Sequence, residues 1–329
     1  MDNFEYAHPA KLKDAVAMLG SNWNDAAVLA GGTDLLSLMK DYVEKPKRLV
    51  NVKGIGELEG IHTSKQGTAI GALVTIEELR TNAAIGKDFP SLVIAAAGIV
   101  SAQMRTMGTV AGDLCQRPRC WYFRSGFGLL AQSADGKSLV PGGENKYHAI
   151  FGNDGPAYFV SPSSLAPALI ALGATATLTG PNGSRDIAAA NFFVTPKTPA
   201  EREYALKPNE IVSRITIPAA SHGLRNATYE VRQREMLDWP LVTASVSFKL
   251  DGSTIQSPRI VLGHVAPIPW SATAAEKVVA GKTLSDELAE QAGEAAVQGA
   301  RPLSQNKYKV QLARVAVKRA LLAARNQGA

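Results

Sequence analysis

The sequence predicts an α+β protein with two domains, and three observations support this class. The 329 residues exceed one ordinary domain, and 46% hydrophobic with 19% charged positions is sufficient for packed cores. Helix and strand signals alternate through the first 80 residues, as in a βαβ unit, whereas residues 227–265 have the pattern of three antiparallel strands. We therefore expect a first domain at 1–220 and a smaller C-terminal α+β domain at 221–329.

The first domain is predicted to consist of short elements separated by turns. Apolar residues recur at helical spacing or in short buried runs, and Gly31 and Gly32 mark the first turn between them. In order, the pattern predicts a helix at 10–19, a strand at 26–30, a helix starting at 35–39, a strand at 48–52, a hairpin at 54–73, helices at 76–80 and 91–104, a strand-like run at 107–114, a helix at 165–172 and strands at 174–178 and 210–217.

An irregular insertion occupies about residues 115–155 of the first domain. Its turn signals include SGFG, DGK, PGG and GNDG, and it has no sustained helix or strand periodicity. Loops of this length that remain ordered usually have a function. We interpret the aromatic residues Trp121, Tyr122 and Phe123 as packing anchors of this insertion.

The C-terminal domain is predicted to contain strands at 227–234, 242–250 and 256–265 and helices at 272–279, 285–298 and 308–325. Residues 301–329 carry seven Lys or Arg and no acid, whereas the net charge of the whole chain is +6. A solvated basic helix face is the simpler interpretation of this tail, and a docking surface for an acidic partner is the alternative. Charge confined to one tail does not predict nucleic-acid binding.

Composition and cysteine usage exclude several other classes. The longest strongly apolar stretch, 92–100, is nine residues long, well short of the roughly 20 needed to span a membrane. The first ten residues contain two acids and no basic or long apolar segment, so we expect no secretory signal and a cytoplasmic protein by default. A periplasmic location would require a partner subunit that carries the export signal. Cys115 and Cys120 are the only cysteines, which excludes a disulfide framework.

The strongest motif is VLAGGTDLL at 28–36, in which a short strand leads through two glycines into a helix. Such a turn exposes backbone N–H groups at a helix start, where phosphate is favoured and glycine permits its close approach. Gly-Gly alone also fits a plain strand-to-helix turn, with Asp34 as a candidate cap. A second Gly and Thr run, TMGTVAGDL at 106–114, favours the phosphate interpretation because two such loops can hold one dinucleotide.

Other nucleotide and catalytic motifs are missing from the sequence. There is no G-x-G-x-x-G fingerprint, and the P-loop candidate that ends at Lys137 and Ser138 has Ala131 where the first glycine is required. The histidines are dispersed without an H-E-x-x-H pair, and there is no G-x-S-x-G nucleophile motif. We therefore predict neither a catalytic residue nor a metal ligand in this chain.

These segments resemble the FAD-binding medium subunits of molybdenum hydroxylases, the family of xanthine dehydrogenase and carbon monoxide dehydrogenase. The likeness covers nearly the whole chain, through FEYAHPAKLKDAVAML, VLAGGTDLL, GTVAGDL, SPSSLAPALIALGATATL and GHVAPIPW in that order. Within the family, QRPRCWYFR most resembles the start of the cysteine-bearing loop in the flavin subunit of bacterial molybdenum aldehyde oxidoreductases.

The resemblance implies a first domain of the vanillyl-alcohol-oxidase (PCMH) type, with two subdomains, that binds FAD. The residues implied to contact FAD come from the two glycine loops, from the turn before an Ala-rich helix and from an apolar strand. They are Leu29, Ala30, Gly31, Gly32, Thr33, Asp34, Leu35, Thr106, Gly108, Thr109, Gly112, Asp113, Ser164, Ile211 and Val212.

The chain departs from the family pattern at several of these positions. Asp113 ends an Ala-Gly-Asp sequence where the family usually has Gly-Gly-Asn, and its carboxylate can still accept a hydrogen bond from a hydroxyl group. Ser164 stands where a carboxylate commonly contacts FAD, and Glu230 stands where close relatives often have Lys. Relatives with a [4Fe–4S] cluster bind it through four cysteines, of which only Cys120 is matched while Ala157 replaces the last. We therefore expect no [4Fe–4S] cluster in this chain.

The resemblance implies an electron-transfer subunit that does no substrate chemistry itself. In the implied heterotrimer, a molybdopterin-binding large subunit oxidises the substrate, here an aldehyde, and a small subunit relays the electrons through 2Fe–2S clusters. FAD in this chain would receive them and pass them to an external acceptor. Two alternatives remain open, a flavin-less assembly module of such a complex and a stand-alone FAD oxidoreductase.

Overall fold

The structure, a computed structural model, describes residues 1–99, 101–234 and 238–327. Within these residues the chain forms a three-stranded, a five-stranded and a four-stranded sheet, each packed against helices. This is the mixed helix and sheet architecture that the sequence predicts. No helix in these ranges is both long and apolar enough to cross a membrane.

The N-terminal region forms the βαβ arrangement that the alternating pattern predicts, with one further strand, at Glu5–Ala7, that the pattern did not predict. Strands β1 (Glu5–Ala7), β2 (Ala27–Leu29) and β3 (Arg48–Asn51) run parallel in the order β1-β3-β2. Helix α1 (Leu12–Ala17) connects β1 to β2, and helix α2 (Leu35–Lys40) connects β2 to β3. Because ligands of open parallel sheets bind beyond the carboxyl ends of the strands, the glycine turn after β2 lies at the edge where a site is expected.

The second sheet is antiparallel throughout and has the order β4-β5-β8-β6-β7. Its strands are β4 (Ile61–Ser64), β5 (Gly67–Gly71), β6 (Thr175–Gly180), β7 (Gly183–Ala188) and β8 (Ile211–Pro218). Strand β7 was not predicted, because this edge strand is mostly exposed and has no apolar alternation.

Helices fill the connections around this second sheet and supply much of its core. They are α3 (Ile76–Thr81), α4 (Ala83–Asp88), α5 (Pro90–Ala97), α6 (Ala102–Met107), α7 (Val110–Cys115), α8 (Trp121–Arg124), α9 (Ala166–Ala171) and α10 (Ala189–Phe192). Every residue of α9 is buried, and Leu169 joins Ile70 and Ile215 of the sheet in one apolar cluster.

Two predictions for this region are wrong. The single helix predicted at 91–104 is divided into α5 and α6, because Ser101 adopts an extended conformation and its hydroxyl accepts the Met104 N–H as a new helix cap. The strand-like run at 107–114 is mainly helix α7, which begins when Thr109 Oγ1 accepts the Gly112 N–H at 3.1 Å. The helix cap formed by Thr109 therefore favours helix at 110–115, although the composition of this segment is typical of a strand.

The C-terminal sheet has four antiparallel strands rather than the three that the sequence predicts. Strands β9 (Arg225–Val231), β10 (Val242–Asp251), β11 (Thr254–Gly263) and β12 (Trp270–Ser271) have the order β12-β11-β10-β9. The fourth strand contains only two residues, which is too short for an alternating pattern to reveal. Part of the predicted strand at 227–234 lies beyond the end of β9.

Three helices cover this sheet: α11 (Thr273–Val279), α12 (Asp286–Ala296) and α13 (Tyr308–Arg325). The apolar side of α13 is buried in the C-terminal core, and its basic side chains face acidic residues of α12. The pairs are Arg314–Glu294 at 3.6 Å, Lys318–Glu290 at 2.9 Å and Arg325–Asp286 at 2.9 Å. Much of the basic charge of the tail is therefore neutralised within the chain, which favours the solvated helix face over a docking surface.

The insertion packs against both halves of the chain. Phe123 joins Leu38 of α2 in a small buried cluster, whereas Phe151 stacks on Trp270 with ring centroids 5.1 Å apart. Lys309 of α13 is buried and its Nζ donates to backbone carbonyls of the insertion. Apart from the short helix α8, the irregular backbone of the insertion is therefore held in place by tertiary contacts.

Candidate functional site

A cleft lies where the loop after β2, the segment around α7 and the segment entering β8 meet. It contains about 1200 Å³ of empty space, its open mouth included. Clefts with a mainly apolar lining and a few polar groups are the usual binding sites of small molecules and cofactors.

The structure brings most of the predicted site residues together in this cleft. The predicted residues that line it are Ala30, Gly31, Gly32, Thr33, Asp34, Leu35, Gly108, Thr109, Gly112, Ile211 and Val212. The predicted residues that do not line it are Leu29, Thr106, Asp113 and Ser164. Both glycine loops and the start of β8 therefore form one continuous wall.

The two glycine loops touch through their backbones. A Cβ atom built on Gly31 would lie 1.8 Å from the carbonyl oxygen of Met107, so no residue with a side chain fits there without moving one loop. Gly32 has φ +72°, a conformation that favours glycine, and a Cβ atom there would crowd Leu29 and Leu36 at 3.1 and 3.2 Å. The glycines are therefore required by the contact between the loops as well as by any ligand.

The first loop leaves a row of backbone donors without protein acceptors. Within the described residues, the N–H groups of Gly31, Gly32, Thr33 and Asp34 take part in no hydrogen bond to the protein. Asp34 occupies the position before α2, yet its side chain makes no capping hydrogen bond. These four N–H groups border the cleft and remain available for an anionic ligand.

The second loop is held rigidly against the chain that follows β5. The Ile76 N–H donates to the Gly108 carbonyl at 2.9 Å, and the Val110 N–H donates to the Val74 carbonyl at 2.9 Å. Thr109 lies between these two bonds and caps α7. The loop is thereby fixed in position before any ligand binds.

Asp113 and Ser164 lie where α7 packs against the turn before α9, and neither lines the cleft. The Asp113 carboxylate accepts hydrogen bonds from the Ser163 hydroxyl and from the Leu165 N–H at 3.0 Å, while Gln116 Nε2 donates to its other oxygen at 2.9 Å. Burial raises the pKa of Asp113 to about 6. Asp113 in α7 and Ser164 in the turn before α9 are both almost fully buried.

A charged network that the sequence analysis missed forms another part of the cleft wall. The Arg117 guanidinium pairs with Glu44 and Glu203, and Arg202 Nη1 donates to Glu44 at 2.8 Å. The Arg202 guanidinium also lies 4.7 Å from the centre of the Trp23 ring. These partners are far apart in the sequence, so no local pattern could predict the network.

The cysteines are placed differently from each other. Cys115 borders the cleft, and burial raises the pKa of its thiol to about 12. Cys120 Sγ lies 3.2 Å from Nε2 of the buried His148. In the part of the chain that the structure describes, no three His, Cys, Asp or Glu side chains lie close enough together to hold a metal ion.

Two family descriptions match the chain. Residues 2–220 match "FAD binding domain in molybdopterin dehydrogenase", and residues 227–324 match "CO dehydrogenase flavoprotein C-terminal domain". The chain is 30% identical to the carbon monoxide dehydrogenase medium chain of Hydrogenophaga pseudoflava over 98% of this chain and 96% of that protein. It is 32% identical to the aldehyde oxidoreductase FAD-binding subunit PaoB of Escherichia coli over 92% of each.

Solved structures share this fold over the full length. Carbon monoxide dehydrogenase from Hydrogenophaga pseudoflava superposes with a TM-score of 0.76 and 29% identity, covering 98% of this chain and 97% of that chain. The reconstituted CO dehydrogenase from Oligotropha carboxidovorans superposes with a TM-score of 0.77 and 26% identity, covering 99% of both. Family match, sequence identity and fold agree with one another, and the chain belongs to the FAD-binding medium subunits of the molybdenum hydroxylase family.

Proposed function

We propose that the diphosphate of FAD binds between the two glycine loops and that this cleft orients the flavin for electron transfer. The observation that carries this proposal is the row of N–H groups from Gly31 to Asp34, which have no protein acceptor within the described residues. Backbone N–H groups on a glycine turn are well suited to phosphate oxygens, because they offer directed donors without bulky side chains. Thr109, fixed on the facing loop, supplies a hydroxyl group at the same wall.

The charges around the cleft support an anionic ligand. Arg117 and Arg202 place guanidinium groups in the wall, and Lys53 Nζ donates to the Ala30 carbonyl at 3.1 Å beside the first loop. Glu44 is paired with both of these arginines and Glu203 is paired with Arg117, so this network of two arginines and two glutamates has no net charge. A diphosphate entering the cleft would therefore meet the backbone donors and the Lys53 ammonium group, and the carboxylates of the network would already be paired.

An apolar wall suits the ring systems of FAD. Trp23 and Tyr204 meet edge to face with ring centroids 5.9 Å apart, and Leu206, Ile211 and Val212 line the same cleft. These side chains would bind a planar ring and exclude water from it. When bound, FAD supplies the ability to accept electrons from one donor and deliver them to another acceptor.

We propose that the chain works with a molybdopterin-binding large subunit and a small subunit that carries 2Fe–2S clusters, and that the complex oxidises an aldehyde. The identity to a carbon monoxide dehydrogenase medium chain and to an aldehyde oxidoreductase FAD-binding subunit supports this assembly. The QRPRCWYFR segment supports the aldehyde branch. A cytoplasmic location is part of the proposal unless a partner subunit carries an export signal.

We also propose that the insertion binds no [4Fe–4S] cluster, because the chain has two cysteines and a cubane requires four ligands. The Cys120 thiol contacts His148, whereas Cys115 faces the cleft. The proposed division into domains at 1–220 and 221–329 is supported by two apolar clusters, one around Leu169 and one around Val246. A few residues cross the boundary: Val261 belongs to the first cluster, and Ile150 and Phe151 belong to the second.

The purified chain tests these proposals directly. We expect a flavin absorption spectrum, close to one FAD per chain after acid release and identification by mass, and no stoichiometric iron. A correctly folded chain that binds no flavin when FAD is added would favour the assembly module instead. Stoichiometric iron would overturn the proposal about the insertion, and aldehyde oxidation by this chain alone would favour a stand-alone oxidoreductase.

A further inference from the structure

The carboxylate of Asp34 in the first glycine loop is held by the insertion. Its Oδ2 accepts the Arg117 N–H at 2.8 Å, its Oδ1 accepts from Arg124 Nη2 at 2.8 Å, and Arg119 Nη1 lies 3.3 Å from Oδ1. The Asp34 and Arg124 side chains are each only 15% exposed. A partly buried carboxylate with several charge-assisted contacts is a strong tether between distant parts of a chain.

The arginine segment is itself compact. Arg124 donates to the Pro118 carbonyl through Nε and to the Arg117 carbonyl through Nη2, both at 2.9 Å. Residues 117–124 therefore form one folded unit, and moving Arg124 would move the Arg117 N–H as well. Asp34 is bound by a preformed structure rather than by independent flexible side chains.

The same segment is also connected to the second glycine loop. The Arg117 side chain pairs with Glu44 and Glu203. The backbone of the segment directly follows helix α7, and α7 directly follows the second glycine loop. Gln116 binds Asp113 at the end of that helix. The start of the insertion therefore contacts the first loop through ion pairs and is connected to the second loop through the continuous backbone of α7.

Asp34 would oppose an anionic ligand if its charge were not compensated. It borders the same cleft as the free N–H groups of Gly31 and Gly32, where the proposed diphosphate lies. Arg119 and Arg124 neutralise its carboxylate and direct it toward the insertion. The Asp34 carboxylate is then compatible with an anionic ligand in the cleft, and it also attaches the first loop to the insertion.

We propose that Asp34, Arg117, Arg119 and Arg124 form an arginine clasp that holds the first glycine loop in its FAD-binding conformation. In this chain the insertion then serves as a flavin-retention element without requiring a cluster. Arg119 and Arg124 are positioning residues, since they act on FAD through Asp34 and the loop. This inference rests on the proposed FAD site.

The test is the dissociation rate of FAD from the full-length chain, followed by flavin fluorescence after dilution. We expect Asp34→Asn and Arg124→Ala each to accelerate release about tenfold or more, and Arg124→Lys to restore part of the loss because it keeps the charge. Lys137→Ala is the matched control, because Lys137 lies in the same insertion, is 84% exposed and, among the described residues, forms an ion pair only with the exposed Asp135. Circular dichroism verifies that each variant is folded.

A double-mutant cycle between Asp34→Asn and Arg124→Ala distinguishes the clasp from independent effects. We expect the double variant to release FAD no faster than the more affected single variant, because both changes break one contact. Hydrogen exchange should also show that FAD binding protects residues 117–124 in the wild type and loses this effect in Asp34→Asn. Additive effects, or slower FAD release from Asp34→Asn, would overturn the clasp while leaving the FAD site intact. A wild-type chain that binds no FAD would instead overturn the proposed function.

Discussion

Gly31 lies so close to Met107 that a methyl group on its α-carbon would stand 1.8 Å from the Met107 carbonyl oxygen. This contact joins the two glycine loops of the cleft, and it sets the distance between them. Any side chain at this position must push one loop away from the other. The two loops can therefore approach this closely only because residue 31 has no Cβ atom.

Gly31→Ala is expected to reduce FAD occupancy at least about tenfold, because separating the loops misplaces donors on both sides of the diphosphate. Acid-released flavin per folded chain measures the effect. Gly86→Ala is the matched control, since a Cβ atom on Gly86 of helix α4 meets nothing within 4 Å. Normal FAD content in Gly31→Ala would show that the loop contact does not govern binding.

Gly32→Val is expected to abolish FAD retention for a different reason. The φ of +72° is strained for any residue with a side chain, and a branched residue would also collide with Leu29 and Leu36. Because these contacts belong to the first loop, the C-terminal domain should remain folded. Flavin content together with a thermal unfolding scan measures both effects, and full flavin loading would refute the assigned role of this loop.

Asp113→Asn should flatten part of the pH dependence of stability. Burial raises the pKa of Asp113 from 3.8 to about 6, so the native state holds a proton that the unfolded state has lost between these pH values. Stability is therefore fully present below pH 3.8 and falls as the pH rises through about 6, by about 3 kcal/mol.

Asparagine cannot titrate, and it keeps an oxygen that can accept the Leu165 N–H. Denaturant unfolding at several pH values between 4 and 7 measures the difference between Asp113→Asn and wild type. The pH dependence that remains in Asp113→Asn should include a contribution from Glu230, because burial raises the pKa of its carboxyl group to about 7. An unchanged slope in Asp113→Asn would mean that this carboxyl does not titrate in the folded protein as expected.

Lys309→Met should destabilise the chain and loosen the insertion. Lys309 Nζ donates to the carbonyls of Tyr147, His148 and His264 at 3.2, 3.4 and 2.6 Å. Methionine would remove this donor from all three carbonyls, of which that of His148 would keep its hydrogen bond from Asn306 Nδ2 at 3.1 Å. We expect a loss of roughly 2–4 kcal/mol in the free energy of unfolding, with earlier proteolytic cleavage near residues 145–150. Lys307→Met, an exposed position just before the same helix, is the control and should behave like the wild type.

Neutralising Arg314, Lys318 and Arg325 together should change thermal stability little, because exposed ion pairs contribute weakly. These variants test the basic tail better than deletion of α13, whose buried residues Ala316, Val317 and Leu321 belong to the C-terminal core. Association with the partner subunits, measured by size-exclusion chromatography, should also be unchanged. Lost association with retained stability would restore the docking surface as an interpretation.

Sequence patterns predicted some elements closely. Helix α13 begins and ends at the predicted residues, 308 and 325, because a long helix with one buried side repeats its apolar spacing many times. The glycine loop after β2 was also predicted, since a short apolar strand, two glycines and a helix start occupy consecutive positions. The edge strand β7 was missed because most of its residues are exposed, and β12 was missed because two residues are too few to produce a pattern.

The mixed fold class, the order of most elements, the two glycine loops and the family resemblance can be inferred from the amino-acid sequence, because each depends on residues that are neighbours in the chain. The contact of Gly31 with Met107 and the binding of Asp34 by arginines of the insertion arise only in the folded chain. Folding also brings Asp113 to the start of α9 and pairs α13 with α12. Contacts such as these join residues distant along the chain, and their geometry depends on how complete elements pack, which local periodicity does not encode.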